Sequence, residues 1–330
     1  MQIDFDGEYG FVSLEHILSM ERYEKFLAKA YHADMLYLAK HKETKANPQN
    51  LLPKAHSAIV FRKDYLPHPE PLDLPKGLKI ASYAMGKDYH HWFLKELQII
   101  AENLKRQYPH EEFLCFVDSK PVLERELALR AGLGWIGKNA CLIHEKKGSF
   151  SFIGEIYTTL KLQADAPQVP DRCGTCTRCI EACPTDAIKE DRFIDSNLCI
   201  SYWSIEAKEA PPENLRKKMS SWHFGCDICQ EVCPWNEKAF GKDFFLQRHS
   251  MKIEDKIQSL RWILTASNRD IESKFQGTAL LRASARHHRR NAVLAVVDQN
   301  LIELAPEIRS LAQRFPDLLE LCEWALKDLH

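Results

Sequence analysis

Strand and helix patterns alternate before residue 165, two dense cysteine runs lie between residues 173 and 234, and strand signals vanish after about residue 241. Together these predict an α/β domain (1–165), a small cysteine-rich domain (166–240) and a short α-helical, HEAT-like tail (241–330). In the first part, Ser57-Ala58-Ile59-Val60-Phe61 reads as an apolar strand after the turn-like segment Pro48 to Pro53. A helix is predicted from Tyr89 to Gln107, where Phe93, Leu97, Ile100 and Leu104 recur at helical spacing and Pro109 stops the pattern. Phe113 to Val117 reads as a strand running into Asp118, and Pro121 to Arg130 as a helix started by proline. A glycine loop follows, then Ala140 to Ile143 and Ser151 to Thr158 as two strands of a hairpin. Residues 166–170 read as a linker. The tail patterns as helices over Arg290 to Val297, Leu301 to Arg314 and Pro316 to Leu329.

The chain has 330 residues and a formal net charge of −1, so overall charge announces no nucleic-acid partner and any basic surface is local. The start, Met1-Gln2-Ile3-Asp4-Phe5-Asp6, has neither the basic region and apolar run of an export signal nor a twin-arginine motif. No apolar run is long enough to span a bilayer. A cytoplasmic protein without membrane association is expected. In that compartment its 11 cysteines are not expected to form disulfides.

The first cysteine run is Cys173-x2-Cys176-x2-Cys179-x3-Cys183-Pro184, the spacing of bacterial two-cluster ferredoxins, closing proline included. The second is Cys226-x2-Cys229-x3-Cys233-Pro234, with Cys199 displaced upstream by an insertion. In such pairs the fourth cysteine of a run ligates the other cube. That rule assigns one [4Fe-4S] cluster to Cys173, Cys176, Cys179 and Cys233, and the other to Cys226, Cys229, Cys183 and Cys199. The middle domain is therefore ferredoxin-like. Structural zinc sites usually pair cysteines across a longer loop, which disfavours zinc here. Cys115, Cys141 and Cys322 lie in apolar segments and read as core.

Gly132-x-Gly134-x-x-Gly137 matches the dinucleotide fingerprint as text. That mechanism needs a strand before the loop and a helix after it. Here the order is helix, loop, strand, so a nicotinamide site is not expected.

Other segments join the cysteine runs: Gly86-Lys87-Asp88-Tyr89-His90, Val117-Asp118-Ser119, Gly137-Lys138-Asn139, Gly154-Glu155, Cys199-Ile200-Ser201-Tyr202, Gly225-Cys226-Asp227, Trp235-Asn236, Phe275-x-Gly277-Thr278-Ala279 and Arg290-Asn291-Ala292. With these the chain resembles the tRNA epoxyqueuosine reductases, cobalamin and iron–sulfur enzymes that complete queuosine synthesis. The resemblance implies a cobalamin on the α/β domain facing the near cluster. It further implies attack of Co(I) on the epoxide of the modified wobble base, a proton delivered to the alkoxide, and oxygen lost as water. The base-off signature Asp-x-His-x-x-Gly is absent, since Phe93 stands where glycine is needed; this implies no histidine ligand to cobalt.

The family's proton donor matches Asp118, a sensible general acid if burial raises its pKa. The competing role is a helix N-cap. Lys45 and Ser201 match cofactor-contacting positions, against readings as a solvated lysine and a turn serine. Leu142 and Ile153 are placed to line the cofactor or simply the core. Arg125 and Arg130 are candidates for phosphate anchoring, although Glu126 stands at the spacing of an ordinary helical pair with Arg130. Arg282, Arg286, Arg289 and Arg290 form the densest basic stretch and are expected to meet tRNA phosphates. The expected partners are a tRNA carrying epoxyqueuosine and an electron donor of unknown identity, with the chain acting as a monomer. The rival enzyme class is a reductive dehalogenase. Those enzymes are typically exported with a twin-arginine signal, and a small halocarbon would not call for a basic tail.

Overall fold

A computed structural model of the chain describes residues 2–66, 72, 74–164, 169–248 and 251–329. Residues 166–168 of the expected linker lie outside the described residues, as does the expected division at residue 165.

Eight strands are present among the described residues: β1 (Glu8–Ser13), β2 (Ser57–Asp64), β3 (Lys79–Ile80), β4 (Phe113–Phe116), β5 (Trp135–Ile136), β6 (Leu142–Ile143), β7 (Ser151–Thr158) and β8 (Trp222–Phe224). The main sheet has four strands in the order β1-β2-β7-β4, with every neighbouring pair antiparallel. Five helices matter for the site: α1 (Met20–Ala28), α2 (Leu36–Lys40), α3 (Lys42–Ala46), α4 (Tyr89–Gln107) and α5 (Glu124–Arg130). Alternate residues of a strand face opposite sides of the sheet. Ala58, Val60 and Tyr157 therefore pack with Leu127 and Ala128 of α5 on one face. Ile59, Phe61 and Ile156 pack with Phe93 and Leu97 of α4 on the other. Each of the larger aliphatic and phenylalanine side chains among these contributes about 1.5–3 kcal/mol by leaving water.

Helix α4 spans the residues its periodicity predicts, and Asp88 caps it by accepting from the His90 amide at 3.1 Å. Helix α5 starts at Glu124 rather than at Pro121, because residues 118–123 form a loop in which Asp118 holds φ +50°. The expected hairpin between 140–143 and 151–158 does not form. β6 pairs with β5 instead, while β7 inserts between β2 and β4. Gly134 makes the small hairpin possible: a Cβ there would stand 2.3 Å from the Ile143 carbonyl oxygen. The close approach this glycine permits is thus to its own chain.

In the tail, helices Ile253–Thr265, Ala285–Asp298, Ala305–Arg314 and Leu319–Asp328 surround one apolar core. That core also takes in Leu78, Ile80, Ile200, Trp222 and Phe224, and β3 pairs with β8 in parallel. Segment 78–84 thus packs with the tail. Cys322 is buried in this core, and Cys115 packs against the α4 side of the main sheet. Among the described residues no helix is long and apolar enough to cross a membrane.

Candidate functional site

Two short helices, Arg178–Glu181 and Ile228–Glu231, each follow the opening cysteines of a run and pack against each other. This crossing brings the ends of the runs together. Cys179 has Cys233, Cys173 and Cys176 as electrostatic neighbours. Cys226 has Cys199 and Cys183, and Cys229 has Cys226 and Cys199. Cys141 also stands beside Cys229, Cys199 and Cys233. Among the described residues, no three His, Cys, Asp or Glu side chains converge tightly enough to hold one metal ion.

The glycine-loop exit fastens both cysteine loops to the first domain. Lys138 Nζ donates to the Gly174 and Cys176 carbonyls at 2.8 and 2.9 Å, and Asn139 Nδ2 donates to the Cys229 carbonyl at 3.1 Å. Further ties come from Asp227, which accepts from the Ser82 amide at 2.6 Å, and from Asn236, which accepts from the Ser149 amide at 2.7 Å. Cys141, expected as plain core, instead stands beside Cys229. Its apolar flanks concealed this.

Asp118 follows β4 and points at the start of α4. Its Oδ2 accepts from Tyr89 Oη at 2.6 Å and lies 3.5 Å from His90 Nε2. His90 Nδ1 contacts Asp88 Oδ1 at 2.7 Å, so the ring is held between two carboxylates. The helix-cap reading of Asp118 fails, because α5 begins six residues later and its N-cap residue is Leu123. Burial pushes the Asp118 carboxyl up, but hydrogen bonds from His90 and Tyr89, with the charges of His90 and Arg125, outweigh it. Asp118 therefore sits below its ordinary value, contrary to the expectation of a raised pKa. His90 is raised, chiefly by its hydrogen bond to Asp118, against the opposing effect of burial. The resting proton belongs to the imidazole. The Asp118 side chain is still 53% exposed, so its carboxyl faces open space.

Lys45 is not a solvated lysine. Its ammonium donates to the Val122 carbonyl at 3.1 Å beside the Asp118 loop and lies over the Tyr23 ring, and burial lowers its pKa. Leu142 is buried in the α5-side core and Ile153 packs against it. The Ser201 amide is directed at the Cys199 sulfur. Arg125 donates to the Ala140 carbonyl at 2.8 Å. Arg130 pairs with Glu126 at 3.1 Å and donates to the Ser13 and His16 carbonyls, a structural role. Near Asp118 stand Tyr37, Tyr83 and the bidentate pair Arg282–Glu206, each within electrostatic reach of Asp118 or of one another. None of Tyr37, Tyr83, Tyr89 or His90 was singled out as a site residue from sequence.

The basic stretch needs correction. Arg289 and Arg290 are buried, because Ala285–Asp298 is the central helix of the tail. Arg290 donates to the carbonyls of Trp203, Ala207 and Glu209, the last at 2.7 Å, and Arg289 to Asn268 and the Ala266 carbonyl. Neither faces solvent, so neither can meet phosphate. Arg286 is engaged by Asp317 and the Lys208 carbonyl. Of the four, Arg282 alone reaches the cleft, with 59% of its side chain exposed. Arg290→Ala is expected to cost about 3 kcal/mol or more in denaturant unfolding, because it strands buried carbonyls without a donor.

Residues 172–236 match the family model described as a 4Fe-4S double cluster binding domain. The chain thus carries a double-cluster iron–sulfur domain. Residues 45–119 match the model described as Epoxyqueuosine reductase QueG, DUF1730. An epoxyqueuosine reductase of Pseudomonas aeruginosa is 37% identical over 314 residues, spanning 92% of this chain and 85% of its own length. One from Cyclobacterium marinum is 46% identical over 213 residues, 64% of this chain and 69% of its own. A crystal structure of an epoxyqueuosine reductase with an epoxyqueuosine-modified tRNA stem loop superimposes with a TM-score of 0.82 at 27% identity, covering 99% of this chain and 86% of that one. The chain belongs to the epoxyqueuosine reductase family.

Proposed function

We propose that this chain reduces epoxyqueuosine to queuosine in tRNA, with Cys173, Cys176, Cys179 and Cys233 holding one [4Fe-4S] cluster and Cys226, Cys229, Cys183 and Cys199 the other. The observation that carries the reading is the Asp118–His90 pair, with the Asp118 side chain 53% exposed. Three segments fit the separate roles: 1–165 for the cofactor, 166–240 for the clusters, and 241–330 for the tail against which the RNA lies.

Cobalamin would lie between the first segment and the second quartet. Lys45, Asp118 and Ser201 would border it, and Leu142 and Ile153 would furnish apolar contact. His90, held by Asp88 and Asp118, is not available as a metal ligand. When bound, cobalamin would supply the strongly reducing, nucleophilic centre; the residues of the chain do the rest. Arg282 and Tyr37 at the rim suit a phosphate and a base. Lys87, His91, Trp92 and Lys274 line a neighbouring cavity of about 700 Å³ that shares Asp88 with the site and could take a further nucleotide.

Covering the cleft removes the remaining exposure of Asp118. Burial is already the largest influence on that carboxyl and favours its neutral form. As charge builds on the oxygen leaving the ring, His90 Nε2 would pass its proton through Asp118 to that oxygen. Because His90 holds its proton above the ordinary imidazole value, turnover should be full at lower pH and fall as pH rises through the raised His90 pKa. A pH profile of single-turnover rates checks this, and His90→Phe should remove that limb.

The function is tested by anaerobic incubation of reconstituted protein, cobalamin and a strong reductant with epoxyqueuosine-containing tRNA. Nucleosides are then read by mass spectrometry. Loss of one oxygen that needs both cofactors supports the reading. An unchanged nucleoside with both cofactors loaded contradicts it.

A further inference from the structure

Converting an epoxide to an alkene breaks two C–O bonds and forms one C=C bond. It takes two electrons and two protons, and the oxygen leaves as water. The Asp118–His90 pair accounts for one proton. A second store stands behind it.

Glu155 lies in the middle of β7, paired to Val60 on one side and Phe116 on the other. Its neighbour Val60 belongs to the apolar face covered by α5, so the Glu155 side chain enters that face. It is 1% exposed, and its Oε1 has no hydrogen-bond partner. Among the described residues it forms no ion pair. A lone ionised carboxylate in such a place would cost several kcal/mol, so the group takes a proton instead. Glu124, the first residue of α5, and Asp118, two residues beyond the Phe116 partner, are the charged groups facing it; Tyr157 is its titratable strand neighbour. Glu124 in turn faces Asp118, Arg125, Lys45 and His90, and burial pushes its carboxyl up to about 7. The three carboxyls thus run from the sheet interior, at Glu155, to the exposed Asp118.

We propose that the buried Glu155 and the partly buried Glu124 form an acid pair that stores a proton and passes it through Glu124 to Asp118, supplying the second proton of each turnover. This rests on the epoxide-reducing reading, because only a reaction consuming two protons needs the store. Neither glutamate touches the reacting atoms; both act through Asp118. The electrons come from the clusters, and the protons are replaced from solvent between turnovers.

The test uses holoenzyme carrying Glu155→Gln, which keeps the shape of the side chain, and Glu124→Gln as the second variant should the first fail to fold. Infrared spectra of substrate-free holoenzyme in H2O and D2O should show a protonated-carboxyl band that Glu155→Gln removes. With substrate, kcat should fall roughly tenfold or more near neutral pH with KM unchanged, and recover as pH is lowered and solvent protons reload Asp118. A band that survives both substitutions, or a pH profile identical to the parent's, would overturn the proposal. If the parent turns over no epoxyqueuosine, the functional reading fails, while the band still decides whether the acid pair exists.

Discussion

Asp118→Asn is expected to lower kcat for epoxyqueuosine reduction by about 10²- to 10⁴-fold, the usual worth of a positioned proton donor. The amide keeps the shape of the carboxyl and can still accept from Tyr89 Oη, so the loop should hold its place. What it loses is the ability to take a proton from His90 and give it up again. Substrate binding should change little, because the residue contributes most when the ring oxygen is leaving. Iron content and the visible spectrum should match the parent protein. A variant with full iron and unchanged kcat would remove Asp118 from the chemistry and leave His90 as the sole donor.

Cys226→Ala is expected to abolish turnover and to lower iron from about eight to about four atoms per chain, since one cubane loses a ligand and the other keeps all four. Cys141→Ala is the matched comparison. Cys141 contacts Cys229 yet stands outside both quartets, so its loss should leave iron near about eight atoms. Iron analysis with EPR of the reduced protein reads both variants. Equal iron loss in the two would mean that the second quartet has been assigned wrongly.

The cysteine runs were legible because ligand spacing is a local property: a tight loop and a closing proline are written in consecutive residues. Helix α4 was legible for the same reason, since its apolar stripe and its cap lie within one segment. The position of β7 was not. Its insertion between β2 and β4 depends on pairing with strands far along the chain, and nothing near residues 151–158 announces which neighbours it will choose. The basic stretch failed as a surface for a related reason. A row of arginines reads as solvated until the carbonyls of residues 203, 207 and 209 are brought around Arg290. Glu155 did carry a signal: one carboxylate among Phe152, Ile153, Ile156 and Tyr157 is out of character for a buried strand. Asp118 was singled out in sequence as a candidate donor, but its depressed pKa was not legible there, because that rests on Tyr89 and His90 arriving from α4.

The most direct test of the account is an electron count. Protein loaded with both clusters and cobalamin is reduced anaerobically, freed of excess reductant and mixed with a limiting amount of epoxyqueuosine-modified anticodon stem loop. Cluster oxidation is followed by EPR while the nucleoside is followed by mass spectrometry. The account predicts about two electrons withdrawn for each oxygen lost, with oxygen loss stopping when the clusters are oxidised. Oxygen loss without cluster oxidation, or cluster oxidation that leaves the nucleoside intact, would contradict it.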